Sequence, residues 1–382
     1  VSVAEVKRLW SSPDLLGVEW ADGTLSEFAS IWLRDNLRDD RDPHSGQRLI
    51  DIADLPENPR IRSAVAQNGI VRVEWEGESR AGAFELEWLL ASAAGSFGGP
   101  SAFAPKLWLD GAGRNAERDF AWARFADAHD NRSLRSAWLT RLLQDGIAFL
   151  RDVPCGEAGI LDAASLMGRV SETNYGRVFE VRSVPQPENL AYSDLGLGLH
   201  TDNPYREPVP GFQALHVLVA SPDGGESIFG DGFAIAEHLR AVYPDDFAIL
   251  ARTGVPFRYR SQDAELYAER PLIQLTCGGE VSAVHYNSRS IAPLRLAARD
   301  AAPFYRAYRR FAALLRDPRF QLRTLLRDGH LAVFDNQRTL HGRTAFSSAR
   351  HPRHLRGCYL TRDSVYSAAG LLRRELHQEA QP

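Results

Sequence analysis

Leu199-His200-Thr201-Asp202-Asn203-Pro204-Tyr205 is the stretch on which the reading of this chain turns. In an extended segment side chains alternate between faces. His200 and Asp202, two apart, therefore point the same way and can offer an imidazole nitrogen and a carboxylate oxygen to one ion. A second His from another strand would complete the set of two His and one carboxylate that holds non-haem Fe(II) and leaves coordination positions open. The candidate is His341, within Asp335-Asn336-Gln337-Arg338-Thr339-Leu340-His341-Gly342-Arg343. Leu331 to Phe334, just before it, is a short apolar run bounded by polar residues and reads as a buried strand. His341 is then expected just past a strand end.

Twelve residues beyond His341 stands Arg353, followed by Leu355, Gly357 and Tyr359. That segment is expected to return as a strand antiparallel to the one carrying His341. A guanidinium there offers a fixed fork for the far carboxylate of an α-keto diacid.

Four segments, HTDNPYREPVPGFQALH (200 to 216), GGESIFGDGF (224 to 233), FDNQRTLHGRTAF (334 to 346) and RHLRGCYLTRD (353 to 363), resemble the γ-butyrobetaine dioxygenase branch of the TauD/TfdA-like superfamily. These are Fe(II)/2-oxoglutarate-dependent oxygenases. WADGTLSEFASIWLRDN (20 to 36) also resembles that branch's accessory domain. The resemblance implies a fold that is mainly β with flanking helices: a double-stranded β-helix, or jelly roll, beside a small β-rich N-terminal domain. It implies Fe(II) held by His200, Asp202 and His341, with 2-oxoglutarate and O2 as co-substrates. The far carboxylate of 2-oxoglutarate would meet Arg353 and a donor near Leu215 or Ser227.

At 382 residues the chain is too long for one small core and suggests a large domain with a smaller one. The domains are read as 1 to 92, a linker over 93 to 112 rich in Gly, Ala, Ser and Pro, and 113 to 382. A formal charge of −4 gives no footprint for nucleic acid. No apolar run reaches membrane-spanning length, and the opening VSVAEVKRLW lacks the regions of a signal peptide, so the cytoplasm is expected. Three cysteines, Cys155, Cys277 and Cys358, form neither a C-x-x-C pair nor an even set, which argues against disulfides and thiolate zinc.

An internal echo runs through the first ninety residues. Trp20, Phe28 and Trp32 are answered by Trp75, Phe84 and Trp88, each set being a strand, a Gly turn and aromatic residues four apart, the spacing of one helical face. Gly69 to Trp75 alternates as a half-buried strand. In the resembling family this region holds zinc through cysteines and a histidine. Here Asn36 to His44 has no cysteine, so no zinc is expected, the turn being held by Asp, Arg and Pro. The resemblance also suggests a homodimer. Farther on, 119 to 128, 133 to 144, 158 to 170 and 299 to 316 read as helices, with short strands and Gly/Pro turns between.

The resemblance assigns a substrate cage to Tyr175, Phe179, Tyr192 and Tyr359. Ring faces suit a quaternary ammonium, which has no N–H to donate. Asn203 stands where some members have Tyr, and Tyr205 can supply the missing ring. Asn189 and Asn287 match positions that bond the substrate carboxylate. Arg289, beside Asn287, would suit a dianionic phosphonate if it faces the site, or would lie in a salt bridge if it faces away. The expected partner is a small zwitterionic trimethylammonium compound, γ-butyrobetaine first and 2-(trimethylamino)ethylphosphonate second. A zinc hydrolase would need a general base beside the metal, and neither HTDNP nor TLHGR offers one. A non-catalytic jelly-roll binding protein would have no use for three ligands and Arg353.

Overall fold

The aromatic echo of the first ninety residues is a structural repeat. In the computed structural model β1 (Val6–Ser12), β2 (Leu15–Trp20) and β3 (Leu25–Ala29) form an antiparallel meander that runs into α1 (Ser30–Asp35). The pattern recurs in β4 (Ile61–Gln67), β5 (Ile70–Trp75), β6 (Ala81–Glu85) and α2 (Leu86–Ala93). Trp20 and Trp75 close the two middle strands and are buried in one core with Leu16, Val73 and Leu89. The aromatics four apart do not share a helix face as expected. Phe28 and Phe84 end strands while Trp32 and Trp88 begin helices, and the junction stacks them with centroids 5.4 and 5.9 Å apart.

The turn over 36 to 44 rests on charge. Arg34, 6 % exposed, donates to Asp40 at 2.6 Å and to Glu78 at 2.8 Å, and Arg80 also pairs with Asp40. Asp42 accepts from the backbone N–H groups of Ser45 and His44, and His44 itself is exposed.

The structure describes residues 5–94, 103–109, 113–182, 194–221, 223–346 and 353–380. The chain divides into two compact units, Val1–Ser101 and Ala102–Pro382. The second opens with α3 (Ala116–Asp119), β7 (Ala121–Arg124), α4 (Phe125–Asp130) and α5 (Arg132–Asp145). The helix expected over 119 to 128 is thus cut by a short strand, because β7 finds a parallel partner in β8 (Ile147–Arg151). Asn131 caps α5 by accepting from Leu134 N–H, and Gly146 ends it in the left-handed region at φ 76°. Next come α6 (Gly159–Ser165), shorter than the helix expected to 170, then β9 (Val170–Ser171), β10 (Phe179–Arg182) and β11 (Leu197–His200). β12 (Phe212–Val219) and β13 (Ser227–Asp231) lead into α7 (Gly232–Val242) and α8 (Pro244–Arg252). Two hairpins, β14 (Val255–Arg260) with β15 (Glu265–Arg270) and β16 (Ile273–Leu275) with β17 (Val281–Val284), precede α9 (Ala298–Leu314). The chain closes with β18 (Gln321–Thr324), β19 (Leu331–Asp335), β20 (Thr339–Arg343), β21 (His354–Leu360) and α10 (Arg362–Glu379).

Two sheets make the jelly roll. The larger runs β10-β21-β12-β19-β8-β7, with β9 on β21, and the smaller runs β11-β20-β13-β18. Alternation along each strand sorts side chains between two cores. Ile147, Phe149, Ala332, Phe334 and Val217 point between the sheets and meet Phe229 and Leu322. Ala148, Leu150, Leu331, Val333, Phe212 and Ala214 point outward, where α5, α6 and α10 cover them. β19 is therefore buried on both faces, which is why its sequence is a continuous apolar run. Each of these large side chains contributes on the order of 1.5–3 kcal/mol by leaving water.

Two sequence expectations about strands change. His341 lies in the middle of β20 rather than past the end of β19, because Asn336 to Arg338 turn the chain immediately into a new strand. The strand after Arg353, β21, does not pair with β20. It joins β12 and β10 in the opposite sheet, so Arg353 faces His341 across the sandwich rather than beside it in one sheet. No described helix is long and apolar enough to cross a membrane.

Candidate metal centre and substrate cavity

Antiparallel pairing of β11 with β20 sets His200 directly opposite His341, with ring centroids 4.3 Å apart. Gly342 makes this approach possible. A Cβ there would stand 2.4 Å from the Leu197 carbonyl oxygen, on the strand that carries His200. Asp202 lies in the turn after β11, its Oδ1 3.3 Å from His200 Nε2 and its Oδ2 3.9 Å from His341 Nε2. Among the described residues this is the one group of three whose potential ligand atoms gather, all within 4.8 Å of one another.

The turn is held from outside. Asn336 Oδ1 accepts from Asp202 N–H at 2.7 Å, and its Nδ2 donates to the Asp202 carbonyl at 3.0 Å and to the Pro210 carbonyl at 3.2 Å. Thr201 exchanges bonds with Tyr286, its N–H donating to Tyr286 O and its hydroxyl accepting from Tyr286 N–H. Arg338 secures the start of β20. It is 1 % exposed and donates through Nε and Nη2 to Asp231, and through its other N–H groups to the Gln144 and Lys106 carbonyls. Removing one partner of such a buried, satisfied pair costs about 3–5 kcal/mol. Much of the Asp-Asn-Gln-Arg run before His341 is thus scaffold for the two ligand strands.

Protonation suits a divalent cation. His200 Nδ1 lies 2.9 Å from the Gly198 carbonyl, which fixes the proton there and leaves the Nε2 lone pair facing Asp202. Burial, together with His200, pushes the His341 imidazole down to about 3, so it is neutral. Burial would raise the Asp202 carboxyl, but the imidazoles of His341 and His200 and the Tyr359 hydroxyl more than offset this and hold it well below the usual carboxylate range. A neutral His341 and an ionised Asp202 are the forms a metal requires. The donor set fits Fe(II), with one oxygen and two nitrogens crowded on one side of the cavity.

A cavity of about 440 Å³ opens over these three residues. Tyr175, Phe179, Tyr205 and Tyr359 line it, together with Tyr259. Phe179 and Tyr359 lie 4.9 Å apart, Tyr205 stacks on Tyr259 at 5.1 Å and 17°, and Tyr175 meets Tyr259 edge-on at 6.1 Å. Asn189 and Tyr192 lie outside the described residues. Arg353 lines the cavity at 8 % exposure, and among the described residues no carboxylate pairs with it. Burial and the neighbouring Arg343 push it down to about 10, so it is charged at neutral pH. Leu215 and Ser227 line the same cavity, Leu215 on the strand beside β21 and Ser227 opposite Arg343.

Arg289 faces the cavity, and among the described residues it forms no salt bridge. Burial lowers its pKa, and Asp202 counters that. Asn287 also lines the cavity, but its amide is engaged: Nδ2 donates to the Thr201 carbonyl at 3.1 Å, and Oδ1 accepts from Arg289 N–H at 3.3 Å. It supports the ligand turn and the arginine together.

Sequence reasoning missed Tyr259, Arg343 and Gln213. Arg343 is two residues past His341 and shares its strand face, and Gln213 is two before Leu215, so period-two alternation carried a signal for both. Gln213 is buried with no hydrogen-bond partner for its Oε1 among the described residues. Tyr259 had no such signal, since a separate hairpin brings it over the cavity.

The family model described as "Taurine catabolism dioxygenase TauD, TfdA family" matches residues 112–359, and "Gamma-butyrobetaine hydroxylase-like, N-terminal" matches residues 8–90. A γ-butyrobetaine dioxygenase of Pseudomonas sp. (strain AK-1) is 35 % identical over 366 residues, covering 94 % of each chain. A trimethyllysine dioxygenase of Meyerozyma guilliermondii is 26 % identical, again over 94 % of each chain. A taurine dioxygenase structure from Burkholderia xenovorans superposes with a TM-score of 0.50 at 18 % identity, over 66 % of this chain and 96 % of the other, a likeness of fold.

Proposed function

Because the chain belongs to the TauD, TfdA family, in its γ-butyrobetaine dioxygenase branch, and is an Fe(II)/2-oxoglutarate-dependent dioxygenase, we propose that it hydroxylates an unactivated C–H of γ-butyrobetaine, giving carnitine. The observation that carries this reading is that aromatic rings and guanidiniums line one cavity together with His200, Asp202 and His341. In this reading those three residues hold the iron. When bound, iron with 2-oxoglutarate and O2 supplies the oxidant that replaces a hydrogen by a hydroxyl, releasing succinate and CO2. The protein's part is to bind, orient and exclude water.

Arg353 grips the far carboxylate of 2-oxoglutarate in its fork, with Ser227 and Leu215 completing that end. Tyr175, Phe179, Tyr192 and Tyr359 surround the trimethylammonium group, joined by Tyr205 and Tyr259, each face adding about 0.5–2 kcal/mol as water leaves. Asn189, Asn287 and Arg289 form the end that meets the substrate anion. Held at both ends, the substrate presents one methylene to the metal.

Arg289 favours a second reading. A guanidinium that lines the cavity and has no salt bridge among the described residues suits a dianion, which supports 2-(trimethylamino)ethylphosphonate as an alternative substrate. Anaerobic incubation with Fe(II) and 2-oxoglutarate, followed by O2 and a panel of γ-butyrobetaine, trimethyllysine and the phosphonate, tests both readings. Hydroxylated γ-butyrobetaine as the main product supports the first, and the phosphonate product supports the second. No substrate-dependent succinate from any of the three would reject both. The same proposal assigns the chemistry to residues 113–382, joined by 93–112 to an accessory domain, 1–92, without zinc. It also takes the enzyme to be a cytoplasmic homodimer. Elemental analysis, light scattering and cell fractionation test these points.

A further inference from the structure

A directed chain of hydrogen bonds ends on the metal-side carboxylate. Tyr359 O–H donates to Asp202 Oδ2 at 2.8 Å, Asn203 Nδ2 donates to the Tyr359 oxygen at 3.2 Å, and Tyr205 O–H donates to Asn203 Oδ1 at 2.7 Å. The direction of every bond follows from the last acceptor. An ionised carboxylate can only accept, so Tyr359 must donate to it and its oxygen is left to accept. The amide of Asn203 must then turn its NH2 toward Tyr359 and its oxygen toward Tyr205, which must donate in turn.

Three further features show that the chain is built rather than incidental. Tyr359, Asn203 and Tyr205 are 4, 6 and 6 % exposed, so water cannot freely replace these bonds. Asn203 adopts a left-handed backbone at φ 53°, an uncommon conformation for a residue other than glycine, and this seats its amide between the two tyrosines. Tyr205 is in turn anchored by its stack on Tyr259.

We infer that the Tyr359 hydroxyl is a positioning group for the metal centre. By holding Asp202 Oδ2 it leaves Oδ1, the oxygen 3.3 Å from His200 Nε2, as the one presented to the ion. The residue has two separable parts, a ring that walls the cavity and a hydroxyl that acts through Asp202. The inference rests on the metal-centre reading above, and it ties the substrate wall to the ligand that the wall surrounds.

Phe179 supplies the control, being a neighbouring ring of the same wall without a hydroxyl. The test is Mn(II) binding to the metal-free full chain, followed by the electron paramagnetic resonance signal of the free ion. Partners that orient a metal ligand are worth about 10- to 100-fold in metal affinity. Tyr359→Phe should raise the Mn(II) dissociation constant about tenfold or more, with the metal-free protein melting within a few degrees of wild type. Phe179→Leu should leave it within about twofold, and Asn203→Ala should fall between. Wild-type affinity in Tyr359→Phe overturns the inference, as does a lowered melting temperature with affinity unchanged, which would mark a structural role only. Equal Mn(II) binding by wild type and His341→Ala would instead remove the metal-centre reading, and this inference with it.

Discussion

The cavity is lined by two opposite materials. One, the aromatic wall, is Tyr175, Phe179, Tyr205, Tyr259 and Tyr359, rings in mutual contact that carry no net charge. The other, the cationic wall, is Arg289, Arg343 and Arg353, guanidiniums whose pKa values all lie below the ordinary value, with Arg289 pressing on Arg343 and Arg343 on Arg353. The described rings of the aromatic wall satisfy one another and need no ligand to be stable. The cationic wall differs, because Arg289 depresses the pKa of Arg343 and Arg343 that of Arg353, a repulsion that an added anion would ease. In the proposed reading the difference divides the work: what the rings hold is selected by shape and softness, and what the arginines hold by charge.

The hardest blow to both walls is removal of what lies between them. His341→Ala is expected to lower substrate-dependent succinate formation by at least about a thousandfold and to abolish stoichiometric Fe(II) binding, measured by anaerobic equilibrium dialysis. Next, Arg353→Ala should raise the KM for 2-oxoglutarate about a hundredfold, from loss of charge-assisted bonds worth about 3 kcal/mol, with little change in substrate affinity. If both co-substrate and substrate weaken equally, the cationic wall is not divided between two anions. Arg289→Ala should cost a phosphonate substrate about tenfold more in kcat/KM than a carboxylate one, and equal losses would reject the charge argument. Tyr259→Leu tests the other wall. Loss of about 1 kcal/mol should raise the KM for a trimethylammonium substrate about fivefold and leave 2-oxoglutarate untouched.

The smallest effect concerns stability. His285, 1 % exposed, is pushed down to about 3 by burial and by Arg270 and Arg362. In the unfolded chain it would titrate near the ordinary value, about 6.5. Below that pH the unfolded state takes up a proton that the folded state refuses. The stabilisation is full above about pH 6.5 and is lost progressively toward pH 3. Between pH 7 and 5.5 the wild type should lose about 1 kcal/mol more unfolding free energy than His285→Gln, as measured by urea denaturation.

Local chemistry was legible and tertiary arrangement was not. His200, Asp202 and His341 announced themselves through ligand types and spacing, and Arg353 through its distance along the chain. Even so, the sequence reading placed β21 beside β20, because nothing in residues 344 to 353 says that the chain crosses to the other sheet. Ala121 to Arg124 looked helical until a parallel partner in β8 claimed it, a case of tertiary pairing overriding local preference. Tyr259 was invisible for the same reason: only the fold of a hairpin brings it to the cavity. Asn287 matched a substrate-binding position, and no motif showed that its amide would also bond the Thr201 carbonyl and the Arg289 N–H.

The most exacting position near the metal centre is one with no side chain at all. At residue 342 even a methyl group would press on the carbonyl of Leu197, and the two histidine-bearing strands could yield only by moving apart. A Gly342→Ala change would keep every ligand, every ring and every charge while spoiling the span between the imidazoles. Such a lesion would be silent in a census of active-site groups and would register only as a centre that no longer closes on its ion.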